Sequence, residues 1–208
     1  MRSNWPTFTV ALTAFALGAA GCAGSTDTPA PATERVIQAN AYAVDSSPDS
    51  AVRFFDNAYV FEGKVTAVQP DRRVADAPAV GRALEAVYTP VTVVVERSYL
   101  GDAAVGSQVT VRSMGGRADG LRYLIDDAPS KDTFAAGTRL VIFGGPRSTL
   151  DLEPAAAITP HFVYRRAGEF FIDETYAESD DSARARIPVA ELRLKLRALG
   201  AGAAPHDR

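Results

Sequence analysis

The chain has 208 residues, with 25 acidic against 22 basic side chains, two histidines, one cysteine and a net charge of −3. A single cysteine excludes an internal disulfide and any metal site built on several thiolates. The mildly acidic balance argues against nucleic acid as a partner.

Met1–Thr7 is short and polar with one positive charge, Arg2, and Phe8–Ala20 is apolar with interspersed threonine. That run is shorter than the roughly 20 apolar residues of a membrane-spanning helix. Small residues close it at Gly18–Gly21, which is the pattern of a secretory signal over residues 1–21. The order Ala19-Ala20-Gly21-Cys22 resembles the lipobox of bacterial lipoproteins, with Ala19 where leucine is commonest. The resemblance implies cleavage before Cys22, a diacylglycerol thioether on its sulfur and a fatty acyl group such as palmitate on its amine. It would place the chain in the bacterial cell envelope, outside the cytoplasm, with the membrane as a partner through the lipid. Ordinary signal cleavage near Gly21 or Ala23, followed by secretion, is the alternative.

Residues 22–46 read as a flexible lipidated stalk, because Cys22–Glu34 is rich in Ala, Gly, Ser, Thr and Pro and cannot bury a core. Arg35–Asp45 is ambiguous. Ser47-Pro48-Asp49-Ser50 is a helix-start signature for a short turn over Ala51–Phe55. The folded domain is expected over residues 47–200.

Tyr59–Val68 alternates, with Tyr59, Phe61, Val65 and Ala67 on one face and Glu62, Lys64 and Thr66 on the other, which predicts a half-buried strand. Gly63 on the apolar face points to a bulge or a sharp bend. Pro70–Arg82 reads as a loop. Ala86–Tyr99 predicts the strongest strand, with Val91, Val93 and Val95 inward and Pro90 at an edge or a bulge. Ser107–Arg112 alternates again, and Leu121–Ile125 is a further strand candidate. Thr138–Phe143 is apolar on both faces, which predicts a central strand. Phe162–Tyr164 and Phe170–Ile172 flank Arg165–Gly168 as a hairpin. Pro188–Leu199 predicts a helix, with an apolar stripe of Val189, Leu192, Leu196 and Leu199, Leu194 off it and a Glu191–Lys195 pair. Gly200 marks its stop, and residues 201–208 form a tail. The fold class expected is mainly β: a small OB-like antiparallel β-barrel with a C-terminal helix.

Four segments carry a family likeness: Val60–Val65, Tyr88–Asp102, Gly115-Gly116 and Phe134–Phe143. Together they resemble a bacterial cell-surface family with an OB-like barrel, distantly similar to the netrin-like domain of tissue metalloproteinase inhibitors. The chain departs at Leu100, where that family often has Lys, and at Thr138-Arg139, where it often has Glu-Arg. The resemblance implies the barrel. It does not carry over inhibition by a chelating N-terminal cysteine, since Cys22 would be acylated and far from the barrel.

Chemistry is sparse. His161 opens a predicted strand with no assignable nucleophile or orienting partner, and His206 lies in the tail; a structural role is the ordinary one for such a histidine. Asp173-Glu174 and Glu178–Asp181 read as a solvated acidic loop, as does Asp126-Asp127, since the glycine and bidentate glutamate of a calcium loop are missing. Gly115–Gly120 reads as a turn. Tyr88, Tyr99 and Tyr123 could stack on a ligand, but core packing is their default. No catalytic residue, cofactor or metal is expected, and Cys22 is the one assigned site. These readings describe a membrane-anchored binding module for an envelope protein or small ligand. The alternative is a protease inhibitor acting through a barrel-edge loop, Pro70–Arg82 or Gly115–Lys131.

Overall fold

A computed structural model describes residues 34–39, 45–54, 56–75, 85–125, 128–147, 156–176 and 184–202, all within the unit Thr33–Arg208. Cys22 and the leader lie outside the described residues. In chain order the elements are β1 (Arg35–Ala39), α1 (Pro48–Arg53), β2 (Tyr59–Val68), β3 (Arg72–Ala75), β4 (Glu85–Leu100) and β5 (Gln108–Met114). They continue as β6 (Gly116–Ala118), β7 (Leu121–Ile125), a 3-10 turn (Lys131–Phe134), β8 (Arg139–Gly144) and β9 (Ala157–Ile158). The last are β10 (Pro160–Ala167), β11 (Phe170–Asp173), β12 (Arg186–Pro188) and α2 (Val189–Gly202).

The protein is mainly β, with mixed sheets. The larger sheet follows the open path β12-β11-β10-β8-β2-β4-β5-β9, with β3 also on β4. Its neighbours are antiparallel except β5 and β9, which run parallel through Thr110–Ala157 and Val111–Ile158. One residue, Thr159, separates β9 from β10, and β10 pairs with β8. The segment Ala157–Ala167 therefore touches both β5 and β8. Arg112 of β5 reinforces that junction by donating to Thr159 Oγ1 at 3.1 Å.

Alternation sorts the side chains of this sheet onto two buried faces. Phe61, Val65, Val91, Val93, Val95, Val111, Leu140 and Ile142 form one cluster, with Phe134 of the 3-10 turn packed into it. The other face holds Val60, Val141, Phe143, Phe162, Tyr164 and Phe171, and the two helices cover it through Ala51, Val189, Leu192 and Leu196. Each fully buried leucine of α2 contributes roughly 1.5–3 kcal/mol by leaving water. The predicted helical stripe is thus the buried one, and Leu194 is exposed. The helix runs to Gly202, past the stop expected at Gly200. Lys195 reaches across to Asp49 of α1 at 2.6 Å, where sequence spacing pointed to Glu191.

Three expectations need correction. Glu62 does not face solvent: it is fully buried, because α2 lies over the face that alternation had marked as polar. The segment read as a stalk contains β1, which pairs in parallel with β7 in a small sheet of order β1-β7-β6. Part of each loop offered for protease inhibition is strand: β3 lies within Pro70–Arg82, and β6 lies within Gly115–Lys131 beside β7, which is the strand expected at Leu121–Ile125. The turn between β6 and β7 is Asp119-Gly120, both at positive φ, which is the chemistry of a tight hairpin.

Gly63 and Pro90 keep the meaning their sequence gave them. The β2–β4 register shifts at Glu62/Gly63, and a Cβ on Gly63 would sit 2.6 Å from Val93 Cγ1 and 2.7 Å from the Val94 carbonyl oxygen. Pro90 lies where β2 gives way to β3 along β4, and its carbonyl accepts from Gln69 at 2.9 Å. The missing N–H therefore falls at a break in the ladder.

Candidate functional site

The described residues carry two buried carboxylates held by arginine. Glu62 receives Arg193 at 2.5 and 3.0 Å and Arg97 at 3.0 Å. Burial pushes the Glu62 carboxyl up, but hydrogen bonds and charge from the two arginines outweigh it and hold the group below the ordinary glutamate value. Glu174 is buried as well. It accepts from Arg165 at 2.7 Å, from Thr133 at 3.4 Å and from Arg184. Its neighbour Asp173 accepts from Ser46 Oγ at 2.5 Å and from the Thr175 amide at 3.0 Å. Asp173 and Glu174 are therefore structural acceptors, where sequence pointed to a solvated loop; residues 177–183 and Asp126-Asp127 lie outside the described residues.

A third hub joins four segments. Asp71, between β2 and β3, accepts from Thr89 and Lys131 at 2.5 Å each and from the Arg117 amide at 2.8 Å. Burial raises its carboxyl, and these donors more than compensate, so it lies below the ordinary value. Gly116, at φ +131°, abuts this carboxylate so closely that a Cβ would overlap it.

Beside the first two hubs lies an open groove of about 920 Å³. Glu96, Arg97, Arg139, Arg165, Arg166 and Glu169 supply its charged side chains, and Ala136, Gly137 and Gly168 keep it wide. Arg139 donates to both oxygens of Glu96, at 3.0 and 3.2 Å. Arg166 donates to the Gly168 carbonyl at 3.2 Å. A smaller hollow of about 390 Å³ continues past Arg165 to Glu174 and Arg184.

The tyrosines do not line this groove. Tyr88 is buried with Arg112 5.7 Å from its ring centre, and Tyr99 packs on the helix-covered cluster. Tyr123 shares a register with Gly116 and Ile37 in the small sheet. His161 meets Phe54 edge-on at 5.0 Å and Asn57 at 3.4 Å. Burial lowers its pKa below the ordinary histidine value, with Asp56 opposing. Its contacts are thus with Phe54 and Asn57, and none of the arginines that engage Glu174 is among them. Among the described residues no group of three His, Cys, Asp or Glu could hold a metal ion, and no helix is long and apolar enough to cross a membrane.

Sequence reading missed the groove. Its arginines come from three separate strands, and only the Arg165-Arg166 doublet is visible as a local signal. Comparison with protein-family models, with characterised proteins and with solved structures finds no match to this chain.

Proposed function

We propose that this chain is a lipid-anchored binding module of the bacterial cell envelope, held outside the cytoplasm at Cys22. The observation that carries the reading is the Ala19–Cys22 lipobox directly behind a short apolar leader. We further infer an OB-like barrel akin to the cell-surface family whose motifs the chain resembles. Supporting it, Ala157–Ala167 contacts β5 in parallel and β8 in antiparallel fashion, which links the two ends of the β8-β2-β4-β5 run. The open groove is the surface available to a ligand, and the buried ion pairs beneath it serve to fix the scaffold rather than to perform chemistry. No nucleic acid and no cofactor enter the reading.

Mass spectrometry of the N-terminal peptide from the membrane fraction tests the anchor. A diacylated or triacylated Cys22 is expected, and Cys22→Ala should leave an uncleaved or mislocalised precursor. A Cys22→Ala protein that is processed normally and stays with the membrane would overturn it. Co-purification from native envelope should recover a ligand or partner with the wild-type chain.

A further inference from the structure

Cross-strand register places three cations in one row. Arg139 of β8 pairs with Lys64 of β2, so their side chains stand on the same face. Arg165 of β10 pairs with Leu140 of β8. One step along, Arg166 and Arg139 share the face on which Lys64 stands, and both line the groove. Like charges side by side on a sheet repel. Among the described residues, the carboxylate paired with this row is Glu96, through Arg139. The other arginines of the groove, Arg97 and Arg165, are directed to the buried Glu62 and Glu174.

We infer that the Lys64–Arg139–Arg166 row is a binding site for a multivalent phosphate group. Adjacent strands lie roughly 4.8 Å apart, so three cations on three neighbouring strands span roughly 10 Å. A single carboxylate can engage one guanidinium fork, whereas linked or clustered phosphates can meet all three cations together. The groove is open along one side, which admits a chain or a headgroup without a lid. Glu96 holds Arg139 in place when no ligand is bound, and the Glu169 carboxylate that lines the groove repels any anion, so binding requires contact with several cations at once. The phosphate could come from a free polyphosphate or from anionic phospholipid headgroups; the chemistry read by the row is the same.

The inference rests on the binding-module reading but is tested apart from it. The full chain in neutral detergent micelles is titrated calorimetrically with tripolyphosphate, with citrate, and with dioctanoyl phosphatidylglycerol against dioctanoyl phosphatidylcholine. Saturable binding of tripolyphosphate assigns a free phosphate source; a response to phosphatidylglycerol and not to phosphatidylcholine assigns the headgroup. In either case Lys64→Gln and Arg166→Gln should each weaken binding about fivefold, and each should reduce the salt slope by about one. Glu96→Gln, which removes the competing carboxylate, should tighten binding. Arg186→Gln, an exposed cation on β12, should change nothing. The proposal is overturned if neither phosphate ligand binds, if citrate binds as well as tripolyphosphate, or if the Lys64→Gln/Arg166→Gln double variant with an unaltered melting curve binds as the wild type does. An acylated Cys22 with no phosphate binding would sink the groove assignment and leave the anchored module standing; phosphate binding by a chain uncleaved at Cys22 would do the reverse.

Discussion

Arg193, on the terminal helix, donates to both carboxylate oxygens of Glu62, a fully buried residue in the middle of β2. This fork fixes the rotation of α2 against the sheet more narrowly than the Leu192 and Leu196 contacts can, since apolar packing is non-directional. Arg193→Ala leaves Glu62 buried with the Arg97 ion pair still in place. The loss should be about 3 kcal/mol of stability, read as a lower denaturant midpoint at unchanged slope. Arg193→Lys should recover only part of it, because an ammonium cannot supply the two-pronged geometry.

Acid should destabilise the fold in two stages. His161 has a lowered pKa, so the unfolded chain takes up its proton first; its contribution is complete above the ordinary value of about 6.5 and declines as pH falls below it. Glu62 and Asp71 are lowered carboxyls. Their contribution is complete above the ordinary carboxylate range and is lost as pH falls through their depressed values. Melting temperature against pH should therefore show a first decline below about 6.5 that His161→Gln abolishes, and a steeper acidic decline that it leaves intact. A first decline that persists in His161→Gln would refute the assignment.

Two glycines should resist substitution for different reasons. At Gly63 the obstacle is space, since a methyl group would press on Val93 and the Val94 carbonyl. Gly63→Ala should cost about 1–3 kcal/mol by overpacking. At Gly116 the obstacle is both the positive φ and the Asp71 carboxylate. Gly116→Ala should destabilise the protein and also displace Lys131 from Asp71, which a Lys131→Ala background would reveal as a smaller additional loss. Gly120→Ala, at positive φ with open space around it, serves as the conformational control.

Much of the body was legible because it depends on local period. The strands β2, β4 and β5 follow from alternation, β8 from its run of apolar residues, β10 from the hairpin around Arg165–Gly168, and the buried stripe of α2 from helical spacing. The Ser47 cap of α1 follows from its own short signature. What escaped depends on pairing between distant segments. Glu62 alternates as a surface residue, and only the docking of a helix from the far end of the chain buries it. Glu174 looks like one acid among several until Arg165, Arg184 and Thr133 surround it. β1 lies in the stretch Arg35–Asp45 that is ambiguous by sequence, and its partner, β7, cannot be inferred from spacing. The row Lys64, Arg139 and Arg166 exists only once the register of three strands is known.

Glu174 connects the scaffold to the groove and permits a prediction with opposite signs. Arg165 lines the groove, yet its Nε is committed to Glu174, as is Arg184 from the other side. Glu174→Gln keeps the shape and the hydrogen-bond acceptor but removes the charge that holds both guanidinium groups. Stability should fall by about 3 kcal/mol, since two partly buried cations lose their shared anion. Arg165 lines the same groove as Arg139 and Arg166, and once released from Glu174 it adds its charge there, so tripolyphosphate affinity should rise severalfold at low salt. Adding Arg165→Gln to Glu174→Gln should return the affinity to the wild-type level or below. Affinity that falls with Glu174→Gln while the melting curve stays cooperative would mean that Arg165 serves the scaffold alone.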